Sequence, residues 1–243
     1  TNSLLPMAAK EINNHLRKRS YVPYSEKPEF CVVQSFEGSL FPGVRIENIS
    51  FPLTVNCVQA ATVSCISEGE TPLYIYIDRP NQVQKKWINS FELEVHPLSD
   101  GTLQFDDLFD PVYTIYSTDQ IPWRLEQLSQ MAYVGESDFP VAALLKVSDG
   151  YIGGVNVEFN DWQTGLCAER TALVKALASG HQNLEEIYLY APKGTFISPC
   201  GACRQLLVEH MPDATLYVTH ADGTHSNHYV KHLLPFNFHS KEL

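Results

Sequence analysis

The stretch GVNVEFNDWQTGLCAERTALVKALASG, residues 154–180, aligns without a gap with GVRIENISFPLTVNCVQAATVSCISEG, residues 43–69. The alignment pairs Gly43 with Gly154 and Glu47 with Glu158. Similarity continues downstream with small changes of offset, where SDGTLQFDDLFDP matches ADGTHSNHYVKHLLP. Similarity at a fixed spacing is the sequence signature of a repeated structural unit. The chain is therefore predicted to contain two tandem copies of a unit of about 110 residues.

Composition restricts the class of protein. The chain has 243 residues, of which 44% are hydrophobic, enough for a substantial core. No run approaches the roughly 18 apolar residues of a membrane span, and residues 1–20 lack a signal peptide's apolar centre. We therefore expect a cytoplasmic protein with reduced thiols and no membrane partner. A formal net charge of −11 argues against binding to polymeric nucleic acid.

The hydrophobic pattern of the second copy predicts alternating strands and helices. Two strands form a hairpin around Asp149-Gly150, and a helix is expected to open the unit after Pro122. Further along, the pattern predicts a helix over 167–180, a strand over 185–192, a helix over 200–211, a strand over 214–223 and a short closing helix over 228–236.

This order predicts an α/β fold, with helices covering a mixed sheet in three α/β/α layers, duplicated in tandem. The predicted organisation is a first domain over 1–112, a linker over 113–127 and a second domain over 128–243.

Three of the six cysteines fall at predicted helix starts. Cys167 begins one helix, and Cys200 and Cys203 begin another, spaced so that both thiols reach one point across the first turn. The partial positive charge of a helix N-terminus favours thiolate, the form that binds metal. Three thiolates leave one tetrahedral position open, as in a catalytic zinc site. A redox Cys-x-x-Cys pair or ordinary core cysteines are the alternatives, but neither explains all three positions.

Glu169 lies two residues after Cys167. On a helix this spacing turns the carboxylate to a neighbouring face, from which it can address the fourth ligand of a metal rather than the metal itself. A carboxylate there can accept a proton from a metal-bound water and deliver it elsewhere. The alternative is a solvated glutamate in the first turn of a helix.

Together, CAERTAL at 167–173, ISPCGACRQLL at 197–207 and LLPFNF at 233–238 resemble the cytidine deaminase family of zinc enzymes. The resemblance spans about residues 128–238. It implies that Cys167, Cys200 and Cys203 ligate Zn²⁺ and that Glu169 is the catalytic proton shuttle. It also implies that Arg170 hydrogen-bonds the ligand thiolates.

The same resemblance implies how a small nucleoside would bind. Asn156 and Glu158 alternate on a predicted strand and would grip a ribose hydroxyl. Phe139 and Phe238 match aromatic residues that pack on the pyrimidine, and Trp162 matches one that leans into a neighbouring subunit's site. The implied substrate-binding set is Phe139, Asn156, Glu158, Trp162, Ala168 and Phe238. One departure is GES at 135–137, where the family has PYS; the first copy keeps PYS at 23–25.

The first copy has lost the metal-binding pattern. Asn56, Asn81 and Gln84 stand opposite the three cysteines, and Val58 stands opposite Glu169. We therefore expect one zinc per chain, in the second domain, and a first domain that is not catalytic. Small members of the resembling family are tetramers, so a two-copy chain is expected to form a homodimer equivalent to a tetramer of domains.

The expected reaction is zinc-dependent hydrolysis of cytidine and deoxycytidine to uridine and deoxyuridine with release of ammonia, in pyrimidine salvage. Deamination of a modified cytidine or nucleoside antibiotic, or of a polynucleotide cytosine, is an alternative, as is a non-enzymatic zinc-stabilised scaffold. His220, His225, His228 and His232 are irregularly spaced and are interpreted as solvated surface residues.

Overall fold

The computed structural model describes residues 7–100, 103–161 and 164–238. The chain divides into two compact units, each built from several segments. Unit 1 contains Thr1–Glu47, Thr54–Asp110 and Leu177–Gly180; unit 2 contains Asn48–Leu53, Pro111–Ala176 and His181–Leu243.

Unit 1 is built on a four-stranded mixed sheet in the order β2-β1-β3-β4. Strand β1 pairs antiparallel with β2 and β3, whereas β3 and β4 are parallel. Helix α1 contacts β1 and β2, and the core contains Phe41, Cys57 and Ile75. The elements are α1 (Met7–Arg19), β1 (Phe30–Ser35), β2 (Leu40–Val44), α2 (Cys57–Ser67), β3 (Pro72–Tyr76), α3 (Gln82–Ser90) and β4 (Glu94–His96).

Unit 2 is built on a six-stranded mixed sheet in the order β10-β9-β8-β6-β7-β5. Only β8 and β9 pair in parallel among its strands within the described residues. The elements are β5 (Val112–Tyr113), α4 (Ile121–Ser129), β6 (Ala142–Val147), β7 (Gly150–Val155), α5 (Ala168–Ser179), β8 (Glu186–Tyr190), α6 (Gly201–His210), β9 (Thr215–Thr219) and β10 (His225–Tyr229).

Both units share one succession of elements. The hairpin β1-β2, α2, β3, α3 and β4 in unit 1 correspond in order to β6-β7, α5, β8, α6 and β9 in unit 2. The predicted α/β fold with mixed sheets is confirmed. In unit 2 the sheet has helices on both faces, because Gly153 of β7 faces Leu128 of α4 while Gly154 faces Ala168 and Ala172 of α5.

A glycine lets the central helix approach the sheet closely in each copy. A Cβ atom at Gly154 would lie 2.4 Å from the carbonyl oxygen of Ala168 and 2.4 Å from the nitrogen of Ala172. At the equivalent Gly43, a Cβ atom would lie 2.2 Å from the carbonyl oxygen of Cys57. Only glycine permits such a contact between backbones. These positions therefore set how α2 and α5 lie on their sheets.

The predicted closing helix over 228–236 is wrong. The structure has strand β10, antiparallel to β9, followed by a single 3-10 turn over Val230–His232. Gly223 has a φ of +82° in the tight connection between the strands, a conformation that favours glycine. Pairing with β9 satisfies the backbone of residues 225–229, which contain His, Ser and Asn and have weak helix propensity. The other predicted elements of the second copy are present.

Residues 113–127, the expected linker, include part of β5, a 3-10 turn over Thr118–Gln120 and the first turns of α4. The helix that was expected to open the second unit is therefore α4. No helix in the described residues is long and apolar enough to cross a membrane.

Gly154→Ala should destabilise the chain by about 1–3 kcal/mol, because the added methyl group forces α5 away from β7. Gly135→Ala is the matched control, since a Cβ there meets no atom within 4 Å. The free energy of unfolding from denaturant titration measures both. Equal stability of the two variants would contradict the close approach.

Candidate metal centre and active site

The N-termini of α5 and α6 bring three cysteines together. Cys167 immediately precedes α5 and its carbonyl oxygen accepts the first helical hydrogen bond, from Thr171 N at 2.9 Å. Cys200 caps α6, and its sulfur accepts from Cys203 N at 3.5 Å. The Sγ atoms of Cys167 and Cys200 are 3.8 Å apart, and those of Cys200 and Cys203 are 3.5 Å apart. The predicted convergence of the three thiols is therefore present.

This sulfur cluster fits a zinc ion. Zinc–thiolate bonds of about 2.3 Å in tetrahedral geometry place sulfur atoms about 3.8 Å apart. All three ligand atoms lie within 4.8 Å of one another. In the described residues, no other group of three or more Cys, His, Asp or Glu side chains converges in this way. Sulfur ligands favour zinc over the hard cations calcium and magnesium.

The environment of the cluster favours a thiolate at Cys200. Hydrogen bonds from the thiols of Cys167 and Cys203 lower the pKa of Cys200, and the backbone N–H groups of Cys203 and Ala202 lower it further. The pKa of Cys203 is raised, because it bonds to Cys167 and Cys200 and is fully buried. The start of α6 thus favours negative charge at Cys200, which a bound cation could compensate.

Glu169 is buried beside the cluster in the first turn of α5. Its side chain is only 4% exposed. Burial raises the pKa of Glu169 to about 7, and the neighbouring charge of Cys200 raises it as well. A carboxyl group with a pKa near neutrality can both accept and donate a proton, which is the property that a general acid and base requires.

Arg170 is half-buried on α5, and its charge acts on Glu169 by lowering the carboxyl pKa. Its Nη2 atom donates to the carbonyl oxygen of Leu53 at 3.2 Å. The hydrogen bond to ligand thiolates that the family resemblance implied remains a prediction. Sequence reasoning missed Leu53 as a partner, since no local pattern connects two residues so far apart in the chain.

A cavity of about 260 Å³ opens next to Cys167. Its volume suits a small molecule rather than a polymer. Asn156, Glu158 and Arg170 lie in its wall, and the substrate-binding role of Asn156 and Glu158 stays a prediction. The described lining residues are Glu136, Ser137, Asn156, Val157, Glu158, Phe159, Gly165, Leu166, Cys167 and Arg170.

Asn156 and Glu158 are held in place by the loop before β6. The Oδ1 atom of Asn156 accepts from Val141 N at 2.8 Å, and its Nδ2 atom donates to Phe139 O at 3.0 Å. Glu158 accepts from Ser137 N at 2.9 Å and from Ser137 Oγ at 2.5 Å. Both side chains are therefore fixed at the cavity wall before any ligand is present.

Sequence reasoning missed Ser137 as a partner of Glu158, although a signal was available. In unit 1, the equivalent Glu47 accepts from the backbone N–H groups of Tyr24 and Ser25, both at 3.1 Å. Ser25 and Ser137 therefore occupy the same place in the two copies. Both PYS and GES end in serine. This shared serine could have predicted that the loop hydrogen-bonds to the glutamate that both copies keep.

Among the remaining predicted binding residues, Phe139, Ala168 and Phe238 are not part of the described cavity wall. Phe139 is 36% exposed and Phe238 is 54% exposed, and neither is among the described residues lining the cavity. Ala168 is fully buried as the first residue of α5. Trp162 lies outside the described residues. The roles assigned to these four residues remain predictions.

In unit 1, hydrogen bonds take the place of the metal ligands. Asn56 and Asn81 cap α2 and α3, at the positions that Cys167 and Cys200 hold in unit 2. Gln84 forms a capping box with Asn81, and its Nε2 atom donates to Glu29 at 2.9 Å and to Cys57 Sγ at 3.4 Å. Amide side chains of this kind satisfy the helix ends without a metal.

Glu29 is the centre of this replacement network. It accepts from Asn81 and Gln84 and forms an ion pair of 3.2 Å with Arg45. Sequence reasoning missed Glu29, because it lies outside the aligned stretch that identified the repeat. A larger cavity of about 1030 Å³ adjoins Glu29, Asn81 and Gln84 in unit 1. Its size alone does not make it the active site, since its described lining residues include no cluster of cysteine sulfurs that could hold zinc.

The C-terminal histidines form no metal cluster within the described residues. His225, His228 and His232 are exposed, as the sequence predicted. His220 corrects that prediction, because it is only 8% exposed and its ring stacks on Phe196. Its Nδ1 atom accepts from Ile197 N at 3.3 Å, which explains its burial by a structural hydrogen bond.

Comparison with known proteins agrees with this centre. The family described as the cytidine and deoxycytidylate deaminase zinc-binding region matches residues 119–220. The cytidine deaminase of Sporosarcina psychrophila is 37% identical over 116 residues, which are 47% of this chain and 85% of that protein. The cytidine deaminase of Halalkalibacterium halodurans is 37% identical over 119 residues, which are 48% of this chain and 90% of that protein.

The crystal structure of cytidine deaminase from Burkholderia pseudomallei is 32% identical and has a TM-score of 0.48. It matches 50% of this chain and 99% of its own. Each of these relatives thus corresponds to about half of the present chain. The chain, with its three converging cysteine sulfurs and buried glutamate, is a hydrolytic deaminase. It belongs to the cytidine deaminase family.

Proposed function

We propose that this protein hydrolyses the C4 amino group of cytidine and deoxycytidine, giving uridine and deoxyuridine and releasing ammonia, as in pyrimidine salvage. The observation that carries the proposal is the buried Glu169, with a pKa of about 7, beside three converging cysteine sulfurs. The acidic chain and the small cavity favour a free nucleoside over a polynucleotide.

Cys167, Cys200 and Cys203 would hold the zinc, one ion per chain. When bound, zinc supplies a nucleophilic water whose pKa is lowered toward about 7. Replacement of the equivalent cysteines by Asn56, Asn81 and Gln84 in unit 1 supports this stoichiometry. We accordingly propose a non-catalytic domain over 1–112, a connection over 113–127 and a catalytic domain over 128–243.

Glu169 moves the protons of the reaction. It accepts a proton from the attacking water and gives it to N3 of the ring as the C4–O bond forms, producing a tetrahedral intermediate. Glu169 then takes the remaining hydroxyl proton and passes it to the amino group, which leaves as ammonia when the C4–N bond breaks. Burial supports both steps, because it keeps the carboxyl pKa close to neutrality and excludes bulk water.

Asn156 and Glu158 would bind the sugar. They offer an amide and a carboxylate side by side, which can donate to and accept from one hydroxyl. The 3.4 Å separation between Asn156 Nδ2 and Glu158 Oε1 supports action on a single group. Phe139 and Phe238 are proposed to pack on the pyrimidine, with Ala168 and Trp162 completing the substrate contacts and Arg170 supporting the thiolates.

The proposed assembly is a homodimer that places four deaminase-like domains together, in the cytoplasm. Exposed aromatic side chains support this assembly, since exposed apolar surfaces commonly mark sites where another protein binds. Phe196 is 75% exposed and Phe51 is 82% exposed. All six cysteines are free thiols, which agrees with a reducing compartment.

Zinc-loaded protein should convert cytidine and deoxycytidine with loss of ultraviolet absorbance, and should leave CMP and adenosine unchanged. Glu169→Gln should retain zinc and lose roughly 10²–10⁴ in rate, because an amide cannot carry the proton. Near-normal turnover by this variant would contradict the shuttle.

Other outcomes of the substrate panel separate the alternatives. Activity on a modified cytidine or a nucleoside antibiotic but on neither natural nucleoside would favour the alternative substrate. Zinc binding without any turnover would favour a scaffold.

Sedimentation velocity of the intact chain should give a species of twice the chain's mass that persists on dilution. The reason is that the exposed aromatic surface becomes buried between two copies. A single-chain mass at all concentrations would contradict the homodimer.

A further inference from the structure

One segment of the first copy belongs to the unit that contains the metal centre. Residues 48–53 follow β2 in the chain and precede α2, yet they are part of unit 2. We call this segment the clamp loop. In the second copy, the equivalent loop joins β7 to α5 of the same unit. From the repeat alone, the clamp loop would therefore be expected in unit 1, and its location in unit 2 is a finding of the structure.

The clamp loop bonds to both helices that carry the zinc ligands. The backbone N–H of Ile49 donates to Glu209 of α6, at 2.9 Å to Oε2 and 3.3 Å to Oε1. At the other end of the loop, the carbonyl oxygen of Leu53 accepts from Arg170 of α5 at 3.2 Å. Both contacts involve a charged side chain and are of the stronger kind of hydrogen bond.

The clamp loop is itself held in a fixed conformation. The Oδ1 atom of Asn48 accepts from Ser50 N at 2.8 Å, and Leu53 N donates to Ser50 O at 2.8 Å. Asn48 is only 2% exposed, and Phe51–Leu53 form a 3-10 turn. A loop fixed by its own hydrogen bonds can transmit a constraint from one end to the other, as a flexible loop cannot.

One anchor lies in the first turn of its helix, next to a metal ligand, and the other lies near the far end of the helix that carries the remaining two ligands. Arg170 is three residues after Cys167, and Glu209 is six residues after Cys203 on α6. Cys167 lies at the start of α5, and Cys200 and Cys203 lie at the start of α6. The distance between the sulfurs of the two helices therefore depends on how α5 and α6 are positioned. That separation is 3.8 Å between Cys167 and Cys200.

We propose that the clamp loop fixes α5 relative to α6, and that Glu209 is a positioning residue for the zinc ligands and Glu169. The inference rests on the proposed zinc-dependent deamination, but zinc release can be measured without any turnover and so tests it separately. Under this proposal, the first copy supports the reaction without taking part in it, because its residues 48–53 hold the two helices that carry the zinc ligands. Glu209 belongs neither to the cysteine cluster nor to the described residues that line the cavity, so it is proposed to act on the ligands through the loop.

Three substitutions of Glu209 in the zinc-loaded full chain test the proposal. Glu209→Ala removes the acceptor, and Glu209→Asp keeps the charge but retracts it by one methylene group. Glu209→Gln keeps the length and one acceptor oxygen. Glu126→Ala, an exposed glutamate on α4, is the matched control. The measurements are the rate of zinc release to a chromogenic chelator, kcat and KM for cytidine, and the melting temperature.

We expect Glu209→Ala to release zinc about 10- to 100-fold faster and to lose kcat, with KM unchanged, which is the size of effect typical of residues that support metal ligands. Glu209→Asp should resemble Glu209→Ala, because its carboxylate no longer reaches Ile49. Glu209→Gln should lie between these variants and the original chain, and Glu126→Ala should change nothing.

The proposal is overturned if zinc release and kcat of the folded Glu209 variants match those of Glu126→Ala, even when the melting temperature falls. It is also overturned if Glu209→Asp behaves as the original chain, since charge alone would then suffice. If Glu209→Ala does not fold, the comparison of the Asp and Gln variants decides. Absence of turnover in the original chain would refute the proposed function, while zinc release would still test the clamp.

Discussion

Three cysteine sulfurs at the starts of two separate helices must lie within bonding distance of one metal ion. This requirement connects the fold to the chemistry. Cys167 is fixed by the first hydrogen bond of α5, and Cys200 and Cys203 by the first turn of α6. The close contact of α5 with β7 at Gly154 places one helix on the sheet. The clamp loop is proposed to fix the other helix relative to it. A displacement of a few tenths of an ångström at either helix would change the metal geometry.

The two copies meet the same folding requirements with different chemistry at the helix ends. In unit 2 the helix starts present thiols and a buried carboxyl group. In unit 1, Asn81 and Gln84 satisfy the same backbone groups and join Glu29 in a network that needs no ion. Glu47 and Glu158 nevertheless cap the loop before the first strand in both copies. The two copies therefore share the carboxylate that caps this loop and differ in the side chains at the starts of their helices.

Much of this architecture could be predicted from sequence, because short-range patterns determine it. Apolar periodicity located the helices α5 and α6, and the positions of three cysteines at their starts predicted that the three sulfurs converge. The strand β10 was missed because its pairing with β9, and not its own composition, decides its structure. Glu29, Leu53 and Glu209 were missed because their partners are distant in the chain. No local pattern encodes such contacts.

We propose that one copy holds a catalytic zinc with three thiolates and an open fourth position. X-ray absorption at the zinc edge, combined with metal analysis of the reconstituted chain, tests it most directly. We expect one zinc per chain, bound by three sulfurs at about 2.3 Å and one lighter donor atom. Two zinc ions per chain, or a single ion surrounded by four sulfurs or by none, would contradict it.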